Sequence, residues 1–178
     1  MNASLWRPFL RSVCVVLMLQ PLLIVAAAAD QTTPLIDKVR KATAQYLDIN
    51  NAIKQGWVPA TPCVSGPDTG AMGVHFILPA VGLSSSTLNA EQPTLLIYEP
   101  MSDGAMRLVG VEFIVLESNW TGSGPPALDG NLLNYIATPN RYGLPAFYEI
   151  HVWAWENNPK GSYADWNTQV TCAHQRDG

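Results

Sequence analysis

Four short apolar runs each enclose one acid or base: His75 in Gly-Val-His-Phe-Ile, Glu99 in Leu-Ile-Tyr-Glu, Glu112 in Gly-Val-Glu-Phe-Ile and His151 in Glu-Ile-His-Val-Trp. An ionisable group inside such a run is costly to bury without a partner. Two imidazoles and a carboxylate are also a common ligand set for zinc, iron, manganese or copper. His75, Glu112 and His151 are therefore the candidate metal ligands. Two other readings stay open. The three could form buried hydrogen-bonded pairs, such as His151 with Glu112, or they could lie on an exposed sheet face. Neither HxH nor HExxH spacing occurs to decide between them.

Geometry narrows the set. Asp103-Gly104 between two β-rich runs is a hairpin signal for a type I′ turn. A symmetric turn there pairs Glu99 with Leu108 and Glu112 with Leu95, all facing one way because strand side chains alternate. Glu112 lies four residues beyond Leu108, about 13 Å along the strand, so both carboxylates cannot serve one ion unless a bulge breaks the register. The same distance exceeds the roughly 5–10 Å between the carboxylates of a glycosidase pair. Glu99, near the hairpin end beside Pro100, is read as structural.

The aromatic residues Trp153, Trp155 and Trp166 are the candidate ligand-binding set, since small-molecule pockets combine aromatic walls with a few polar groups; core packing is the competing use. Alternation along the run places Trp153 and Trp155 on the face of Glu149 and His151, so desolvation should lower the His151 pKa. Other chemistries lack their signatures. No Gly-x-Ser-x-Gly elbow is present, and no glycine-rich loop opens a helix to cradle phosphate. His174, two residues past Cys172, reads as solvated.

The elements that must position these residues follow from period and punctuation. Residues 34–55 carry apolar positions at helical spacing, with Thr33 as the cap, Pro34 at the first turn and Gly56 as the stop. After Trp57 the texture changes to short strands between turns: 73–78, 94–99, 106–116 and 146–155, with a short strand in 168–172. Residues 61–72 and 79–93 are loops. Residues 118–146, rich in Gly and Pro, read as a long loop with a short helix near 131–135 and a lid-like role. The expected fold is α+β, one N-terminal amphipathic helix packed on a curved, mainly antiparallel sheet. A small β-barrel is the alternative.

The first 29 residues set the compartment. Arg7 and Arg11 precede an apolar run from Val13 to Val25 that ends in Ala26-Ala27-Ala28-Ala29, the pattern of a cleaved signal peptide. The run is short for a membrane span and is interrupted by Gln20 and Pro21. Residues 30–178 then form one compact domain, secreted or periplasmic, with no membrane span after cleavage. That portion has eight basic and fourteen acidic residues, which argues against a nucleic-acid partner. Its two cysteines, Cys63 and Cys172, are read as a disulfide closing a loop of about 110 residues, for which the chain-entropy model allows about 4–5 kcal/mol. Asn119-Trp120-Thr121 is a formal glycosylation sequon.

Several strings occur together: Tyr46-Leu47-Asp48, Cys63-Val64, Met72-Gly73-Val74-His75-Phe76, Tyr98-Glu99-Pro100, Leu108-Val109-Gly110-Val111-Glu112-Phe113, His151-Val152-Trp153, Asn157-Asn158-Pro159-Lys160-Gly161, Trp166-Asn167 and Cys172. In this combination the chain resembles an uncharacterised family of small exported bacterial proteins. The resemblance implies export and supplies no reaction, cofactor or catalytic residue. The functional expectation is an exported protein that binds a divalent metal ion or small ligand through His75, Glu112 and His151. The alternatives are a non-catalytic binding module using the aromatic pocket, and a structural protein that contacts an envelope partner.

Overall fold

A computed structural model describes residues 33–66 and 68–176. The expected signal peptide, residues 1–29, lies outside them. Thr33 caps the first helix by accepting from the Ile36 amide, and Pro34 occupies its first turn, where a missing N–H costs nothing. The helix expected over 34–55 is divided into α1 (Pro34–Thr43), a 3-10 turn (Ala44–Leu47) and α2 (Ile49–Lys54). The break falls at Asp48, which is extended (φ −91°, ψ 108°) and accepts from the Asn50 amide. A side chain able to cap offers the backbone an alternative to continuing the helix. The apolar period survives the break because Leu35, Ile36, Val39, Tyr46 and Ala52 all enter one core.

The strands are β1 (Val58–Pro59), β2 (Val64–Gly66), β3 (Gly70–Ile77), β4 (Leu95–Pro100), β5 (Met106–Leu116), β6 (Ala127–Leu128), β7 (Asn131–Leu132), β8 (Asn134–Ile136) and β9 (Phe147–Val152). The main sheet runs β1-β3-β4-β5-β9-β8, with β2 also on β3, while β6 and β7 pair separately. Every pairing is antiparallel. The fold is α+β with an open sheet; its path has two ends, so the barrel alternative is not what forms.

Residues 61–72, expected as a loop, contain β2 and the start of β3, and the expected long loop 118–146 contains β6, β7 and β8. Three further local expectations change. Residues 131–135 are not helical, because Asp129 and Gly130 adopt positive φ in the turn before β7, and β8 then gives its backbone to β9. Residues 168–172 form no strand; the tail is held by an Ala71–Asn167 bridge and by the Thr171 amide donating to Glu99. The hairpin turn is a longer loop, with Met101 and Ala105 closing it and Gly104 at φ +89°. Its register shifts at Ile97/Tyr98, so Glu99 opposes Arg107 while Glu112 still opposes Leu95. The shift marks a β-bulge around Val109, where one strand carries an extra residue.

Alternation divides the sheet into two faces. Val74, Phe76, Leu96, Tyr98, Val111, Phe113, Ile150 and Val152 face the helices and form the main core. Each large apolar side chain buried there contributes about 1.5–3 kcal/mol, and the Tyr98 hydroxyl donates to the Tyr46 carbonyl at 2.7 Å. The opposite face holds two smaller apolar clusters. One contains Ala71, Ile97, Val109, Trp153 and Val170, and the other Leu95, Ile114 and Phe147. The buried histidines lie on this second face. Cys63 and Cys172 form a disulfide with a Cα–Cα distance of 5.6 Å, and so join the segment before β3 to the tail.

Candidate functional site

Register places the candidate ligands. Glu112 on β5 is directly opposite His151 on β9, and His75 on β3 opposes Ile97 on β4. His75 thus stands two strands from Glu112, roughly 9–10 Å across the sheet, and two residues away along it, since Ile97 pairs with Gly110. The two side chains close that gap, bringing His75 Nε2 to 3.3 Å from a Glu112 oxygen. Two glycines sit at close backbone approaches beneath the site, Gly73 between β3 and β4 and Gly110 between β5 and β9. A Cβ on Gly73 would lie 2.7 Å from the Tyr98 carbonyl oxygen, and one on Gly110 would lie 2.8 Å from that of Val152.

All three candidates are buried, at 4 % (His75), 6 % (Glu112) and 2 % (His151) exposure. One ligand atom of each lies within 4.8 Å of the others. Glu149, His151 and Asp165 form a second group by the same measure, so His151 belongs to both. Each imidazole is anchored at Nδ1. His75 Nδ1 is 3.3 Å from the Thr61 hydroxyl, and His151 Nδ1 is 2.9 Å from Glu149. Nε2 of His151 is buried and has no hydrogen-bond partner among the described residues. Asn134 donates to both Glu149 and Asp165. These buried His, Glu and Asp groups could hold a metal ion.

The electrostatics follow from burial and neighbours. Desolvation, reinforced by His151, lowers the His75 pKa to about 3, so this imidazole is neutral. Burial raises Glu112 to about 8; Glu149 and Asp165 push it further, while His151 opposes them. For His151 burial acts downward, but the charges of Glu112 and Glu149 outweigh it and raise the pKa to about 9. The lowered value expected from the sequence is thus reversed, because the carboxylates of Glu112 and Glu149 outweigh desolvation. Asp165 is raised by burial and by Glu149.

The pairing also differs from the simplest buried-pair scheme. His151 bonds Glu149, and Glu112 approaches His75. Glu99 stands apart, buried and paired with the Arg107 guanidinium, which also holds Glu156. His174 is exposed. The three tryptophans do not share one wall. Trp153 stacks beside His151, with ring centroids 6.1 Å apart. Trp155 packs on the helix-side core and donates to Thr43, because β9 ends at Val152 and strict alternation ends with it. Trp166 lies under Arg141, whose guanidinium carbon is 5.4 Å from its ring.

A cleft of about 510 Å³ opens beside the histidine row. His75 and Glu112 line it together with Ile77, Leu95, Ile114 and Phe147, and Arg141 and Tyr142 come from the segment before β9. Sequence reading gave no role to Glu149, Asp165, Asn134, Thr61 or Arg141. Glu149 had a usable signal, since a residue two before His151 on a strand shares its face. Asp165 and Arg141 sit in irregular segments with no period to read. No family model, curated protein or solved structure matches the chain.

Proposed function

We propose that this is an exported, periplasmic or secreted protein that holds a divalent transition-metal ion through His75, Glu112 and His151. Zinc, iron, manganese and copper all accept imidazole nitrogens. The observation carrying the proposal is the buried Nε2 of His151, without a partner among the described residues, in a ring whose other nitrogen is fixed by Glu149 and whose ligand atom lies within 4.8 Å of those of His75 and Glu112. A carboxylate on the far side of a ligating imidazole is the usual supporting arrangement in metal sites. A bound ion would act as a Lewis acid beside the cleft.

Export is supported by the N-terminal pattern, by the disulfide and by the resemblance to a family of small exported bacterial proteins. The second reading is a metal-free buried pair, favoured by the 3.3 Å His75–Glu112 contact. The two readings part on metal content. The mature chain, purified from periplasm without chelator or a histidine tag, should carry near-stoichiometric metal by elemental mass spectrometry. His75→Ala and His151→Ala should lose it while remaining folded. Wild-type protein that neither carries metal nor takes up zinc, copper, manganese or iron on titration would leave the buried-pair reading.

A further inference from the structure

The cleft beside the proposed metal site has a composition of its own. Its walls are Ile77, Leu83, Leu95, Ile114, Leu144 and Phe147, and its volume of about 510 Å³ falls within the range of small-molecule sites. Among its described lining residues Glu112 is the only carboxylate and Arg141 the only guanidinium or ammonium group. Glu112 is on the sheet floor with His75, whereas Arg141 is exposed.

Arg141 is held in place without being neutralised. Its guanidinium carbon lies 5.4 Å from the Trp166 ring and 6.0 Å from the Tyr142 ring, distances at which an aromatic face attracts a cation. Its one hydrogen bond among the described residues is to the Ser65 carbonyl at 3.4 Å. No carboxylate among the described residues pairs with it, unlike Arg107, which holds Glu99 and Glu156. Tyr142 keeps its proton to high pH, being raised to about 12 by burial and by the Glu112 charge, with Arg141 opposing. It therefore offers a hydroxyl in the same cleft, where it donates to the Met72 sulfur at 3.6 Å.

We propose that the cleft binds a small, largely apolar molecule carrying one carboxylate, its hydrocarbon part on Ile77, Leu95, Ile114 and Phe147 and its carboxylate on Arg141. A planar guanidinium matches a carboxylate with two parallel hydrogen bonds. A single cation near Glu112 matches one negative charge and not the double charge of a phosphate monoester. The inference extends the metal reading and rests on it only where the ligand meets the His75–Glu112 end.

The test uses the mature chain in metal-free form, with octanoate and 1-octanol as probes in titration calorimetry. Octanoate is expected to bind at least tenfold more tightly than octanol. Arg141→Gln, at an exposed position, should remove that margin and leave octanol binding as it was. Leu144→Trp should weaken both probes tenfold or more by filling the cleft. Equal binding of acid and alcohol, an unchanged margin in Arg141→Gln, unaffected binding in folded Leu144→Trp, or no binding of either probe would overturn the proposal. Zinc titration of the same preparation separates the two readings. Octanoate preference without zinc uptake ends the metal reading alone, and zinc uptake without octanoate preference ends this one alone.

Discussion

His151 is fixed by Glu149, two residues earlier on the same strand, through a 2.9 Å contact at Nδ1. The other nitrogen of the ring is buried and has no partner among the described residues. A buried polar atom left without a partner costs about 1–3 kcal/mol, a cost that a ligand at that nitrogen would remove. The relationship depends only on strand alternation: residues i and i+2 face the same way, so Glu-Ile-His delivers both groups to one side.

Glu149→Gln therefore tests the support separately from the ligand. An amide keeps nearly the same shape, and its oxygen can still accept from Nδ1, but it removes the negative charge that faces His151. Zinc affinity measured with a competing chelator should fall about 10- to 100-fold, with far-ultraviolet circular dichroism unchanged. His151→Ala should abolish high-affinity binding. Equal zinc affinity in wild type and Glu149→Gln would remove Glu149 from the site.

The three titrating groups make stability depend on pH in opposite directions. The His75 pKa is about 3 in the fold and 6.5 in its absence, so its contribution is present above pH 6.5 and is lost as pH falls through 3. Glu112 is raised from 4.5 to about 8 and His151 from 6.5 to about 9. Their contributions are present at low pH and are lost as pH rises through 8 and 9. Metal-free protein should accordingly be most stable near pH 5–6 in urea melts. Each titrating proton alters stability by up to about 1.4 kcal/mol per pH unit. Between pH 4.5 and 3, where Glu112 no longer contributes a slope, His75→Gln should flatten the acid limb. Zinc should raise the alkaline limb, because an ion favours ionised Glu112 and neutral histidines. An acid limb identical in His75→Gln would show that His75 does not carry it.

Much of the architecture was legible because it rests on local pattern. The Thr33 cap, the span Met106–Leu116 and the cysteine pair were all readable from residue type and spacing. The division of the helix at Asp48 was not, since both pieces bury their apolar residues in one core and leave the period intact. The hairpin shows the limit more sharply. Asp103-Gly104 marked the turn, but the bulge that shifts Glu99 from Leu108 to Arg107 depends on packing that no dipeptide records. Of the site, the His75, Glu112 and His151 trio came from apolar context. Arg141 and Asp165 did not, because irregular segments place side chains by long-range contacts.

Gly73 offers a test of how closely the site depends on the backbone beneath it. This residue is two positions before His75, adopts φ +112°, and would bring a Cβ to 2.7 Å from the Tyr98 carbonyl oxygen. Gly143 also has positive φ, at +66°, but an added Cβ there meets nothing within 4 Å. Gly143→Ala should therefore show the conformational cost alone, about 1–2 kcal/mol. Gly73→Ala adds a collision between β3 and β4 that only strand separation relieves, so its loss in chemical denaturation should be larger, about 2–4 kcal/mol. Because that separation moves His75 relative to Glu112 across β4, Gly73→Ala should also weaken zinc binding, while Gly143→Ala should not. Equal losses in the two variants would mean that β3 and β4 yield at Gly73 without cost, and would remove the close strand approach as a determinant of the His75–Glu112 geometry.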